Sequence, residues 1–208
     1  MRYDGDLRSL GLPKTEAVRV RLTHLNPFIK VTTANVQFGS DSSVGEARAV
    51  LDDILGADLT IESTGLHQVR RYLNEVAYAE GQPSLYAWVT TGVWGGEVVR
   101  VIPGETPCYL CFRDNHHLEA PAEPSALTFA PGCAQPTFTG TGFDSSEVAS
   151  QATRAAVQTL LRGTGAYPDM SGHHLVLSLR GADGLFSPQI QLESFTRTPD
   201  CYVCSVSR

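Results

Sequence analysis

Two tetrapeptides, Cys-Tyr-Leu-Cys at 108–111 and Cys-Tyr-Val-Cys at 201–204, hold four of the chain's five cysteines. Each C-x-x-C places two thiolates close enough to bind one metal ion. Two such pairs supply the four soft ligands that a tetrahedral structural zinc prefers. Each pair follows a turn signal, Thr106-Pro107 or Pro199-Asp200, and each carries one aromatic and one aliphatic filler. They read as two halves of one zinc site: Cys108, Cys111, Cys201 and Cys204. The metal would tie the C-terminal stretch back to the middle of the domain and close the long segment between Cys111 and Cys201. Two separate buried thiol pairs, or a redox dithiol, are the other readings of this spacing. His116 and His117 are alternative ligands that four cysteines leave unneeded. They read as a solvated pair, as do His173 and His174 at the start of a late strand.

The chain has 208 residues, for which a single domain over 1–208 is the default. With 42% hydrophobic and 18% charged residues it reads as globular. A formal net charge of −6 argues against nucleic acid as a partner, because neutralising phosphates needs clustered Lys and Arg. No apolar run approaches the roughly 20 residues of a membrane span. The stretch MRYDGDLRSLG has no apolar segment that could act as a secretory signal. The expected location is therefore cytoplasmic, where paired cysteines hold metal more often than they form disulfides.

The pattern along the chain is that of an α/β protein. Val18, Leu22 and Leu25 have helical spacing, closed by Asn26-Pro27. FIKVTTANVQF, from Phe28, is rich in β-branched residues and predicts a strand. SSVGEARAVLDDIL predicts a helix capped by Ser42 or Ser43. ADLTIEST predicts a buried strand, and GLHQVRRYLNEVAYAEG a helix ended by Gly81. SLYAWVTTGVWGGEVVRVIPG predicts two strands about a glycine-rich turn. The segment 112–143 is polar and rich in Pro and Gly, and a stretch of that kind inside a domain is often functional. A helix follows, capped by Asp144 or Ser145 and ended by Gly163. HHLVLSLRG and PQIQLESF predict a C-terminal hairpin. The expected fold class is α/β: a partial Rossmann-like, mainly parallel sheet with crossover helices, a C-terminal hairpin and a four-cysteine zinc site.

A Gly-x-Pro-Lys helix start, LNP at the helix end, a strand leading into STG, RRYLN, a glycine-rich turn, PCYLC and a terminal CYVC together resemble the ThiF/MoeB/ubiquitin-activating family, in its bacterial form. The resemblance runs from about Gly11 to Cys204. It implies an adenylyltransferase acting on the C-terminus of a ubiquitin-like or sulfur-carrier protein, with a structural zinc on the two cysteine pairs. The family's glycine-rich phosphate loop does not precede GLPK here. The chain therefore resembles the second half of the adenylation domain, with 112–143 as the crossover and catalytic-cysteine segment. A homodimer or a complementing half is the expected partner arrangement.

The resemblance implies that Lys14 contacts ATP phosphates and that Cys133 is the nucleophile that accepts the activated carrier. From the residues alone, Lys14 is also a solvated helix-start lysine, and Cys133 a small buried loop residue. A thiolate is a good nucleophile toward an acyl-adenylate. Where the family pattern ends in an aspartate that helps place magnesium and ATP, this chain has Gly65, at the end of Glu62-Ser63-Thr64-Gly65. Asp53 and Asp144 are the acids that could substitute. Arg70 and Arg71 read as structural or surface residues. ATP and magnesium are expected cofactors of a complete enzyme, and the isolated chain is expected to be inactive. The alternative is a catalytically silent, zinc-stabilised scaffold that binds a ubiquitin-like protein or a conjugation partner.

Overall fold

A computed structural model of the chain describes residues 9–36, 44–90, 93–116, 142–181 and 183–205. The chain forms two compact units, Met1–Ile54 and Leu55–Arg208.

In the first unit, helix α1 spans Lys14–Leu25 and stops at Asn26, where the expected Asn-Pro boundary lies. Its apolar residues Val18, Leu22 and Leu25 are exposed. Helix α2 spans Val44–Leu55, so it begins just after its expected cap residues, which fall outside the described residues. The strand expected from Phe28 does not form over 28–36. A β-branched run becomes a strand when a neighbouring strand takes its ladder hydrogen bonds, and the described part of this unit has no strand.

The second unit is built on one five-stranded sheet in the order β1-β2-β3-β4-β5. Its strands are β1 (Thr60–Glu62), β2 (Ser84–Val89), β3 (Gly95–Val101), β4 (His174–Arg180) and β5 (Phe186–Glu193). The helices are α3 (His67–Ala79), α4 (Tyr109–Asn115) and α5 (Gly142–Leu160). The α/β class holds, and the pairing is mixed. Strands β1 and β2 are parallel, joined through α3, while β2–β3, β3–β4 and β4–β5 are antiparallel. The expected parallel pairing thus belongs to the β1–α3–β2 crossover. The short β2–β3 and β4–β5 connections can only return a strand antiparallel to the one before it. Helix α5 begins at Gly142, so Asp144 lies in its first turn rather than at its cap.

The two faces of the sheet bury different cores. On one, α5 lays Val148, Ala152, Ala155 and Ala156 against Leu85, Val98, Leu175 and Leu177. The small residues let the helix sit close. A Cβ at Gly96 would meet the Val148 side chain at 2.6 Å and the Trp88 carbonyl oxygen at 2.5 Å. The other face carries Tyr86, Val99, Val101, Phe112 and Phe195 together with all four paired cysteines.

Candidate metal centre

Helix α4 starts inside the first C-x-x-C. Cys108 is its N-cap and Cys111 lies in its first turn. The cap residue gives no side-chain hydrogen bond; instead the fully buried Asn74 of α3 reaches across, and its Oδ1 accepts the Tyr109 N–H at 2.8 Å. At the other end of α4, Asn115 Nδ2 donates to the carbonyls of Cys111 at 2.7 Å and Thr196 at 2.9 Å. The second pair is held by the turn at Pro199-Asp200, where Asp200 has φ of 57°. Tyr202 then ties it to α3, donating to Glu75 Oε1 and accepting from Arg71 Nη2. Both knuckles are therefore referenced to the same helix.

The four thiols converge. Cys108 Sγ lies 3.8 Å from Cys111 Sγ and 3.6 Å from Cys201 Sγ, and Cys111 Sγ lies 3.3 Å from Cys204 Sγ. A tetrahedron with metal–sulfur bonds of about 2.3 Å has sulfur–sulfur edges of about 3.8 Å. A disulfide needs about 2.05 Å, and all four cysteines are free. All four sulfurs are buried and lie within 4.8 Å of one another, close enough to hold a metal ion. Burial, and then the neighbouring thiols, push Cys108 far up; burial also raises Cys204, to about 11. Burial opposes ionisation of Cys201 as well, but there the backbone N–H groups of Cys204 and Val203 and hydrogen bonds from Cys108 and Cys111 outweigh it and lower the thiol. A cation among the four sulfurs supplies the charge that would let all of them ionise together.

The turn after β1 is the second place where the family pattern bears on chemistry. Glu62 is 2% exposed, and its carboxylate accepts from the Thr64 N–H at 2.7 Å, from the Thr64 hydroxyl, and from Arg70 Nε at 2.7 Å. Arg70 in turn lies 4.6 Å over the Trp88 ring. Gly65 has φ of 76° with open space where a side chain would stand. The acid of this turn is thus committed to a buried ion pair, and the next position along presents none. Arg71 is exposed and pairs with Glu75 at 3.0 Å.

Lys14 opens α1 in the first unit with an exposed side chain. Cys133 and His117 lie outside the described residues. His174 departs from expectation: it is 3% exposed rather than solvated, because Phe112 and His116 pack on its ring at centroid distances of 4.8 and 4.7 Å. His173 is half-buried and bonded to the backbone of Phe195 at 3.1 Å. Asn74 and the Glu62–Arg70 pair carry structural roles that spacing alone did not single out. The signal was the RRYLN run itself, which puts Arg70 and Asn74 one helical turn apart.

The model of the ThiF family matches residues 6–168. The chain belongs to the ThiF family. An uncharacterized protein of Sinorhizobium fredii, y4oA, is 30% identical over 166 residues, covering 72% of this chain and 28% of the relative. Ubiquitin-like modifier-activating enzyme 5 of Oryza sativa subsp. japonica is 24% identical over 108 residues, covering 49% of this chain and 26% of the relative. Among solved structures, E. coli MccB with ATP superposes with a TM-score of 0.64 at 16% identity, covering 96% of this chain and 52% of that one. At that identity the likeness is one of fold. The ThiF-family chain thus spans about a quarter of these two relatives and about half of the MccB chain.

Proposed function

We propose that the chain is part of an activating enzyme that adenylates the C-terminus of a ubiquitin-like protein, a sulfur-carrier protein or a peptide, with zinc as a structural ion on Cys108, Cys111, Cys201 and Cys204. The observation that supports this most is family membership over residues 6–168. A relative that is a ubiquitin-like modifier-activating enzyme, and a fold shared with MccB, crystallised with ATP, agree with it. In such a reaction a carboxylate oxygen of the carrier bonds to the α-phosphorus of ATP and pyrophosphate leaves. The Cys133 thiolate, its proton lost to solvent, then attacks the acyl carbonyl; a thioester forms and AMP leaves. Lys14 supplies positive charge toward the phosphates, where negative charge builds up.

A second reading is favoured by the turn after β1. Gly65 offers no side-chain oxygen ligand, and the Glu62 carboxylate is taken up by Arg70 and Thr64. A hard cation needs such oxygens. On this reading the chain is a silent scaffold that binds the carrier or a conjugating partner. Carrier-dependent exchange of pyrophosphate into ATP, measured in the longest form of the protein, separates the two. The enzyme reading expects exchange that Lys14→Ala reduces at least about 10-fold. It also expects Cys133→Ala to leave exchange intact while abolishing a reductant-sensitive adduct with the carrier. Carrier binding by calorimetry without any exchange would establish the scaffold instead.

A further inference from the structure

A second cluster of ligating groups lies on the same face of the sheet as the cysteines but shares no residue with them. His174, at the start of β4, is paired in register with Val99 of β3 on one side and Glu193 of β5 on the other. Glu97, two residues from Val99, points to the same face. Its Oε2 lies 2.8 Å from His174 Nε2. A carboxylate only accepts, so Nε2 carries the proton, and in the neutral ring the lone pair is then on Nδ1. That Nδ1 is buried and has no hydrogen-bond partner. Glu193 Oε2 lies 3.5 Å from it, too poorly placed to bond.

The neighbour is His116, the C-cap of α4. Its Nε2 is likewise buried and without a hydrogen-bond partner. One ligand atom each from His116, His174 and Glu193 all fall within 4.8 Å of one another. Two orphaned nitrogens and a carboxylate oxygen facing one small space are an uncommon arrangement, since buried polar atoms normally find partners. The imidazole–carboxylate contact behind His174 is what orients a metal-bound histidine. Burial, then the nearby His174, holds the pKa of His116 down, which keeps its ring neutral and its lone pair free.

We propose that His116 Nε2, His174 Nδ1 and Glu193 bind a second divalent cation of the zinc class, with Glu97 orienting His174. The donors are two nitrogens and one oxygen, a set suited to zinc, cobalt or nickel rather than to calcium or magnesium. Three protein ligands leave a fourth position open, in contrast to the closed four-sulfur centre. Helix α4 carries both sites, with Cys108 and Cys111 at its start and His116 at its end, so the second ion would fasten the C-terminus of α4 to β4 and β5.

The test is a cobalt titration of the full chain after its cysteine centre has been filled with one equivalent of zinc. One further cobalt per chain is expected, with a visible spectrum of nitrogen and oxygen ligation and no thiolate-to-metal charge transfer. His116→Ala and Glu193→Gln are expected to abolish that equivalent while keeping the zinc and the circular dichroism of the native chain. Glu97→Gln should weaken cobalt about 10- to 100-fold, as loss of an orienting carboxylate does. His116 is half-buried at a helix end with its ring against Phe112 and His174, so retention of the zinc and of the circular dichroism is the check that its variant keeps the fold. The proposal is overturned if the wild-type chain takes up no extra cobalt, if uptake survives His116→Ala, or if nitrogen-15 spectra show only a proton shared between the two imidazoles.

Discussion

At the scale of single residues, the chain uses buried polar side chains to fix the geometry around its cysteines. Asn74 caps α4 from another helix, so Asn74→Ala should lower stability by about 1–2 kcal/mol, read in urea denaturation, and loosen the first knuckle. Glu62→Gln should be more damaging, at about 3 kcal/mol, because it leaves the Arg70 guanidinium buried without its charge partner. Asp169 gives the pH-dependent case. Burial alone would raise its carboxyl, but hydrogen bonds from Arg100 and the Met170 N–H outweigh it and hold the carboxyl below the usual aspartate value. A depressed carboxyl adds stability that is present above the unfolded-state value near 4 and fades as pH falls through the folded one. Asp169→Asn should therefore cost about 1 kcal/mol at pH 7, since the side chain is 45% exposed and screened, and the gap from wild type should close in melts below about pH 4. That the two cysteine pairs would converge was legible because two C-x-x-C pairs admit few chemistries. The burial of His174 was not. Its strand alternates His174, Val176, Ser178 against Leu175, Leu177, Leu179, which marks the leucine face as core but is silent on what covers the other.

At the scale of elements, periodicity located the pieces and missed what depends on partners. Helices α1, α3 and α5 and the strands of the second unit fall where spacing and turn residues place them. Helix α4 was hidden, because a seven-residue helix opened by a cysteine carries no sequence cap; its cap comes from Asn74, far away in the chain. The strand expected from Phe28 does not form over 28–36 for the converse reason: its composition is right, and the described residues of its own unit hold no strand to pair with. Helix α5 shows how closely an element can be seated. Gly96 lies against Val148, so Gly96→Val forces the helix off the sheet or distorts β3. A loss of about 1–3 kcal/mol is expected in thermal or chemical denaturation, with Gly96→Ala milder. A neutral Gly96→Val variant would mean that α5 does not pack there.

At the scale of the whole molecule, the four-cysteine cluster joins parts of the chain that lie far apart in sequence, on the face of the sheet opposite α5; a metal ion bound there would fasten them together. Closing a loop of that length is worth about 3–5 kcal/mol in chain entropy. Chelation, or Cys204→Ser, should therefore lower Tm by roughly 6–12 °C, taking about 3 kcal/mol at 2–4 °C each for a chain of this size. The fold class was readable because helix and strand periods alternate; two of the three antiparallel pairings came from short connections, and the third, β3–β4, joins strands far apart in sequence. No helix among the described residues is long and apolar enough to cross a membrane. The claim on which the rest stands is that the two C-x-x-C pairs form one metal centre rather than two thiol pairs. X-ray absorption at the zinc edge, on the His116→Ala chain so that the cysteine centre reports alone, tests it most directly. The account predicts one zinc per chain with four sulfur neighbours at about 2.3 Å. A folded, metal-free chain, or sulfur paired with sulfur at about 2.05 Å, would contradict it.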